Sequence, residues 1–222
     1  MSEENSYIGK NCSKLFKAAY ENRYTWDTNF CGYKGICTWT NGDEEVQGLF
    51  SLGKDLKANV TEIENEIISK AISSQLWEVA IHRVKRSFDQ VHGENTFLGG
   101  DMNELGLEVL VGGKNSGDKY RIKDNVVTMV YRHIHGNIVE IFTKETIETG
   151  SGYLSRKYTS QYYDTTTKLP KGNRSIFVDE FVPLNENGPW ALSTRTIEKE
   201  NPNNNNNSSI EKYCFLNLSI LK

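Results

Sequence analysis

The sequence is poor in the residues that interrupt secondary structure or cross-link a chain. Its four prolines all follow residue 169, so the segments before that point are free of this breaker of helices and inner strands. The four cysteines have neither the spacing of a zinc site nor a Cys-x-x-Cys motif. They are Cys12, Cys31, Cys37 and Cys214. This pattern favours free thiols in a reducing compartment, and we expect no cofactor.

The sequence also lacks an excess of charge and a long apolar run. The formal net charge is −3, which gives no electrostatic reason to expect nucleic acid or an anionic membrane as a partner. No apolar stretch reaches the length that spans a bilayer. The segment Met1–Ser6 has neither the basic region nor the apolar region of a secretory signal. We therefore expect a cytoplasmic protein with no membrane span and no nucleic-acid partner.

Aromatic residues supply much of the apolar content. Hydrophobic residues make up only 37% of the chain, but 11 Tyr, 9 Phe and 4 Trp bury large areas per residue. The polar segment 1–9 is predicted to be disordered, and residues 10–222 are predicted to form a single domain. An asparagine-rich loop at 201–209 is predicted to lie on the surface of that domain.

Two segments have the apolar spacing of amphipathic helices. A short helix is predicted to begin at a cap, Asn11 or Ser13, and to run through about Arg23. A long one is predicted from Asn65, a suitable N-cap, to Val91, and Gly93 provides a stop. The long helix is apolar enough to lie across a sheet and too interrupted by charge to span a membrane.

The remaining sequence consists of short extended runs separated by turn residues, which predicts roughly ten strands joined by hairpins. A twisted sheet of that width tends to curl. The predicted fold class is therefore α+β and mainly antiparallel β. We expect a strongly curved sheet or partly closed barrel, with the long amphipathic helix packed on it and a short N-terminal helix.

A first hairpin is predicted around Asn41-Gly42, because a two-residue turn of this kind needs positive φ angles. With these two residues in the turn, Trp39 lies opposite Glu44 and Cys37 lies opposite Val46.

A second hairpin contains the most distinctive local feature, the run from Tyr131 to Asn137. If Gly136-Asn137 forms its turn, His133 lies opposite Glu140 and Tyr131 opposite Phe142. These four residues then share one face and form a candidate aromatic groove for a ligand. The opposite face carries Val130, Ile134, Val139 and Ile141 and is predicted to pack toward the long helix.

This group admits several interpretations. His133 and Glu140 could anchor a polar ligand group, act as an acid–base pair, or simply satisfy each other across two strands. His133 and His135 share a strand face, but two further metal ligands are missing, so we predict no metal site. Tyr158 and Tyr162 share a face of a later strand, which could bind a ligand or a protein or could be ordinary strand composition.

A basic cluster lies near the end of the predicted long helix. His82, Arg83 and Arg86 could contact an anion or an acidic partner, or form a solvated surface that is favourable near the helix C-terminus.

Several long motifs together resemble an uncharacterised family found chiefly in cyanobacteria. The resemblance runs from residue 12 to residue 198, and the family is a domain of unknown function that supplies no catalytic residues. It implies a photosynthetic bacterial source and a cytoplasmic or thylakoid-associated setting. The segments that carry it are Leu15–Trp26, Gln75–Phe88, Tyr131–Gly136 and Gly150–Ser155.

No motif in the sequence specifies a reaction. We expect a non-enzymatic binding or accessory protein whose groove binds an apolar or amphipathic ligand or a protein partner. The resemblance adds a pigment, a lipid or a photosynthetic-complex protein as expected partners. The alternatives are a lyase-like or hydrolytic enzyme that uses His133 and Glu140, and a purely structural protein-interaction module.

Overall fold

The computed structural model describes residues 3–186, 188–200 and 209–222, and it describes the helix at 3–10 in its backbone alone. The predicted asparagine-rich loop lies almost wholly in 201–208, outside the described residues. The helices are α1 (Glu3–Glu21), α2 (Glu66–Ala80) and α3 (Phe88–His92). Among the described residues, no helix combines the length and apolar character needed to cross a membrane.

Within the described residues, twelve strands form one mostly antiparallel sheet. They are β1 (Gly32–Asn41), β2 (Glu44–Gly53), β3 (Ala58–Thr61), β4 (Asn95–Asn103), β5 (Gly106–Gly113), β6 (Lys119–Lys123), β7 (Val126–Ile134), β8 (Asn137–Glu148), β9 (Tyr153–Asp164), β10 (Pro170–Pro183), β11 (Trp190–Glu200) and β12 (Ser209–Ile220). The order is β3-β2-β1-β12-β11-β10-β9-β8-β7-β6-β5-β4. The antiparallel β class is confirmed. The order of the described strands is linear, so this sheet is not closed on itself.

Contacts within the chain group it into two compact units. The first unit comprises Met1–Tyr24 and Arg86–Ser175, and the second comprises Thr25–Lys85 and Ile176–Lys222. In the second unit, β1 pairs with β12, which joins segments far apart in sequence.

The predicted long helix from Asn65 to Val91 is wrong. The side chain of Asn65 caps α2 as expected, but α2 ends at Ala80 and the chain then turns. Ser87 starts the separate helix α3 through a capping box in which Ser87 and Gln90 each bond the other's backbone N–H. The Ser-x-x-Gln pattern at Ser87 is therefore the sequence signal that a new helix starts within the run of apolar helical spacing.

Helix α1 is longer than predicted. It begins at Glu3, so the backbone at 3–9, where we expected disorder, is helical. Extending a helix that already exists costs less than starting one, and no proline interrupts 3–21. Residues 1–2 lie outside the described part of the chain.

The first hairpin turns one residue later than predicted. Asn41 pairs with Glu44, so Gly42 and Asp43 form the loop, and Trp39 lies opposite Val46 instead of Glu44. Gly42 has φ +59°, which suits the first position of a two-residue turn that favours glycine there.

Helix α2 covers one face of the second unit and packs against β1 and β3. Its buried residues are Ile68, Ile72, Leu76, Val79 and Ala80. Beside this apolar stripe lies a buried ion pair. Arg195 is 1% exposed, and its Nε and Nη2 donate to the two carboxylate oxygens of Asp179 at 2.8 and 2.7 Å.

The same guanidinium is bonded to helix α2. Its Nη1 donates to Gln75 Oε1 at 2.9 Å and to Glu78 Oε2 at 3.2 Å, and its central carbon lies 5.2 Å from the centre of the Phe177 ring. Arg195 therefore links β11 to β10 and to α2 by charge-assisted bonds inside the core. Such a pair is favourable only while both partners are present.

Replacing Asp179 with alanine leaves the Arg195 charge in the core without its main partner. We expect the free energy of unfolding in urea to fall by about 3–5 kcal/mol. Glu78→Ala is the matched control, because the Glu78 side chain is 47% exposed, and it should cost less than about 1 kcal/mol. A double variant, Asp179→Leu with Arg195→Met, should regain much of the loss. Equal losses for Asp179→Ala and Glu78→Ala would contradict this role.

The first unit has its core between the helices α1 and α3 and one face of β5, β6 and β7. The buried members are Cys12, Phe16, Ala19, Tyr20, Phe88, Leu107, Val109, Val111, Tyr120, Ile122 and Val127, with Val91, Phe97 and Val130 packed against them. The face of Val130 is thus directed toward helices as predicted, but these are α1 and α3.

A buried histidine lies within this core. His92 is 5% exposed, and the ring centres of Phe16, Tyr20 and Phe88 lie 5.0, 5.3 and 5.0 Å from its own. Its Nδ1 lies 3.1 Å from Asn95 Nδ2. Burial, followed by the nearby charges of two arginines, lowers the pKa of His92 from 6.5 to about 4.

This lowered pKa makes stability depend on pH in a definite direction. Between about pH 4 and 6.5 the unfolded chain binds a proton at His92 that the folded chain does not. The stabilisation is therefore complete above pH 6.5 and is lost as the pH falls toward 4, with a total of about 3 kcal/mol. Urea unfolding across this range should show a shallower slope for His92→Gln than for the unchanged protein. His135→Asn, in an exposed turn, is the control, and parallel curves for His92→Gln and the unchanged protein would contradict the assignment.

Candidate functional site

The hairpin of β7 and β8 turns at His135-Gly136. Ile134 pairs with Asn137, and both loop residues have positive φ, 48° and 75°. The predicted turn at Gly136-Asn137 is therefore wrong by one residue. Histidine is among the residues that adopt this left-handed conformation more readily than most, and glycine follows it, which together satisfy the turn.

The shifted turn changes the cross-strand pairs. Tyr131 lies opposite Glu140, not Phe142, and His133 lies opposite Ile138, not Glu140. The direct pairing of His133 with Glu140 is thus wrong. Phe142 lies opposite Met129.

The shift does not change which residues share a face. Moving a two-residue turn by one position changes the register by two, and side chains alternate with a period of two. The four predicted residues therefore lie on one face, and pairing of β8 with β9 adds residues of β9 to it. We define the β7–β9 face as Met129, Tyr131, His133, Ile138, Glu140, Phe142, Thr159, Gln161 and Tyr163.

Burial varies across this face. Ile138 is 0% exposed, and Met129 and Thr159 are also buried. Tyr131 and Phe142 are half-buried. The face thus has a buried floor of Ile138, Met129 and Thr159, beside which the rings of Tyr131 and Phe142 are half-buried.

The other two predicted tyrosines lie elsewhere. Tyr162 pairs with Val139 and Tyr158 pairs with Thr143, which places both on the face opposite Tyr131. Tyr162 is 49% exposed. The structure therefore does not bring Tyr158 and Tyr162 together with the first four site residues.

The polar part of the site depends on a residue that sequence reasoning missed, Asp118. It is 2% exposed and lies just before β6. Its Oδ1 accepts a hydrogen bond from the backbone N–H of His133 at 2.9 Å and lies 3.1 Å from His133 Nδ1. Its Oδ2 lies 3.5 Å from Arg132 Nε. Asp118 thus holds the His133 ring from the side of the core.

Two neighbours complete the setting of His133. The Tyr131 ring meets it edge to face, with 5.8 Å between ring centres. Gly117, at φ +94°, packs so closely that a Cβ there would lie 3.2 Å from His133 Cε1. A side chain at 117 would therefore be strained and would crowd the ring.

Glu140 has a different partner from the predicted one. Its Oε2 accepts a hydrogen bond from the Tyr163 hydroxyl at 3.1 Å. Burial, together with the charge and hydrogen bond of Glu140, raises the pKa of Tyr163, so the phenol stays a donor.

Cations also border the β7–β9 face. Lys119 is exposed and lies opposite Tyr131. Lys144 Nζ lies 5.4 Å from the centre of the Phe142 ring, and Arg174 Nη2 lies 3.4 Å from Thr159 Oγ1. Among the described residues, no group of three or more His, Cys, Asp or Glu side chains is arranged to hold a metal ion.

Comparison with known proteins adds a family to this description. The model of a family described as a protein of unknown function (DUF3386) matches residues 8–221. The chain belongs to this family. The assignment made from the sequence motifs is thereby confirmed, while the cyanobacterial setting stays a prediction.

No curated protein matches this family member. A solved structure, that of a DUF1329 family protein from Desulfovibrio piger, is 10% identical, with a TM-score of 0.27. The similarity covers 97% of this chain and 92% of that one.

The predicted basic cluster does not form one helical surface. Helix α2 ends before it, and Arg83 is held by the fold, with its carbonyl accepting from Trp26 N–H at 2.7 Å and its guanidinium 5.8 Å from the Phe181 ring centre. His82 and Arg86 are exposed. Arg86 belongs to the first unit, while His82 and Arg83 belong to the second.

A separate depression of about 300 Å³ lies in the second unit and includes none of the predicted site residues. Its lining is largely apolar and includes Val182, Leu184 and Phe215.

Asp118 could have been found from the sequence. Asp124 and Asn125 both have positive φ, 49° and 60°, and form the two-residue turn between β6 and β7. Counting outward from that turn places Asp118 opposite Tyr131, and a register shift between Arg121 and Ile122 moves it one residue further along β7, toward Arg132. Only the carboxylate's contact with His133 itself needs the tertiary structure.

Proposed function

We propose that the protein is a binding protein whose β7–β9 face holds an apolar or amphipathic ligand. The observation that carries this proposal is the composition of that face. Half-buried Tyr131 and Phe142 adjoin a buried floor, with His133 and Glu140 beside them. Ligand sites combine mainly apolar and aromatic linings with a few placed polar groups.

The arrangement of the helices supports the choice of face. Helices α1 and α3 pack on the opposite face of β5–β7, where Val130 contacts the core. A ligand on the β7–β9 face would therefore meet Tyr131 and Phe142 without displacing these helices.

The family resemblance suggests what the ligand is. A photosynthetic setting would supply pigments and lipids, and a subunit of a photosynthetic complex could present an apolar segment to the same face. We propose the small amphipathic ligand first, because aromatic rings beside two polar side chains match a molecule with one apolar and one polar part.

A fluorescent apolar probe, N-phenylnaphthylamine, tests this proposal. The unchanged protein should bind the probe, and the double variant Tyr131→Ala with Phe142→Ala should bind it at least about tenfold more weakly, because two aromatic contacts are lost. Binding is measured by fluorescence titration.

The matched control is the double variant Tyr158→Ala with Tyr162→Ala, which removes two tyrosines from the opposite face. Its affinity should stay within about threefold of the unchanged protein. Equal losses in both variants, or no binding by the unchanged protein, would contradict the proposed face.

A hydrolytic enzyme is the second candidate, and the Asp118–His133 contact favours it. A carboxylate that holds one imidazole nitrogen leaves the other to act as a base. His133 would take a proton from water while the water oxygen attacks an ester carbonyl, and the products would be an acid and an alcohol.

Release of nitrophenol from nitrophenyl butyrate measures this activity. His133→Gln should reduce the rate by about a hundredfold or more, since the general base is lost. Tyr162→Ala, on the opposite face, should leave it unchanged. A rate equal to that in buffer, or an unaffected His133→Gln, rules the enzyme out.

A further inference from the structure

Asp118 determines which nitrogen of His133 carries hydrogen. The carboxylate oxygen Oδ1 already accepts from the backbone N–H of His133 at 2.9 Å. An ionised carboxylate has no hydrogen to donate, so the ring nitrogen 3.1 Å from Oδ1 must be the donor. Nδ1 therefore carries the hydrogen, and in the neutral ring Nε2 is left with a lone pair.

That lone pair is available to a ligand. The His133 side chain is 40% exposed. Among the described residues, its hydrogen bonds and ion pairs are formed through the backbone N–H and Nδ1, and Nε2 has no hydrogen-bond partner. His133 thus presents a fixed acceptor on the β7–β9 face.

Glu140 is a second acceptor on the same face. It lies opposite Tyr131, in the next pair on this face after that of His133 and Ile138. Its Oε2 accepts from the Tyr163 hydroxyl, and a carboxylate has further lone pairs for a second donor. A polar group between His133 and Glu140 would therefore meet two acceptors.

The neighbouring charges determine which donor suits the site. An ionised carboxylate or phosphate has no hydrogen to give, and Glu140 would repel it. An ammonium group would approach Lys119, which lies opposite Tyr131, and Arg174, whose Nη2 lies 3.4 Å from Thr159 Oγ1. A neutral hydroxyl donates a hydrogen bond without either repulsion.

We propose that the polar end of the site, formed by His133 and Glu140, selects amphiphiles whose head group is a neutral hydroxyl. The hydroxyl donates to His133 Nε2 or to Glu140, while the apolar chain lies on Tyr131 and Phe142. This deepens the proposed function and rests on it. Asp118 is the positioning residue for the imidazole.

Four probes with the same alkyl chain test the selection: decanol, decyl methyl ether, decylammonium and decanoate. Displacement of N-phenylnaphthylamine gives their affinities. Decanol should bind at least about tenfold more tightly than decyl methyl ether, which lacks the donor, and also more tightly than the two charged probes. The double variant His133→Phe with Glu140→Leu, which removes both acceptors, should bring decanol close to the ether.

Nuclear magnetic resonance reports which ring nitrogen of His133 carries hydrogen, and a purely structural role of Asp118 would not change this. In the neutral ring of His133, the nitrogen shifts should show hydrogen on Nδ1 and a bare Nε2. Asp118→Asn can offer its amide N–H to Nδ1, so it should increase the population with hydrogen on Nε2 and weaken the preference for decanol. The opposite tautomer in the unchanged protein overturns the proposal, even if Asp118→Asn does not fold.

The outcomes separate this inference from the function on which it rests. Suppose that decanol and decyl methyl ether bind with equal affinity, and that both lose affinity in the double variant Tyr131→Ala with Phe142→Ala. This result overturns the hydroxyl selection and leaves the binding face intact. A preference for decanoate or decylammonium overturns it in the same way. If none of the four decyl compounds displaces N-phenylnaphthylamine, the hydroxyl selection is contradicted. If N-phenylnaphthylamine itself does not bind to the unchanged protein, the binding face is contradicted as well.

Discussion

The alternation of side chains along antiparallel strands is the constraint on which both the core and the candidate site depend. Residues paired across strands share a face. One face of β5–β7 carries Val109 and Tyr120 into the core beneath α1 and α3. The other carries Tyr131 beside Glu140. A one-residue slip in register would exchange the two sets and expose the core, so burial of the apolar face also fixes the polar one.

Two buried carboxylates, those of Asp179 and Asp118, are stabilised in the fold by different partners. Asp179 is matched by the guanidinium of Arg195, and that pair holds β10, β11 and α2 together. Asp118 instead bonds the backbone and ring N–H groups of His133. Asp179 accepts hydrogen bonds at both carboxylate oxygens, whereas Asp118 accepts at Oδ1 and has the Arg132 Nε at 3.5 Å from Oδ2 without a hydrogen bond. Asp118 connects the core to the His133 side chain, which is 40% exposed, and the candidate site is therefore built on it.

Local sequence signals predicted the strands and the faces well, but not the exact pairs. Both tested hairpins turn one residue away from the predicted position, at Gly42 and at His135. The resulting register error of two residues preserves side-chain parity, so the face of Tyr131 is as predicted while its partner is not. The long helix failed for a different reason, since the apolar spacing from Asn65 to Val91 continues across a capping box at Ser87.

The sequence by itself determined the antiparallel β class, the family, and the sharing of one face by Tyr131, His133, Glu140 and Phe142, because these depend on periodicity, turns and local motifs. The tertiary structure alone decided the pairing of β1 with β12 and the bond between Asp118 and His133. It also decided that Tyr158 and Tyr162 lie on the other face from the site. Such contacts join residues that are distant in the chain. Local sequence signals do not indicate which distant strand will pair with a given strand edge, or which distant side chain will bond a given buried charge.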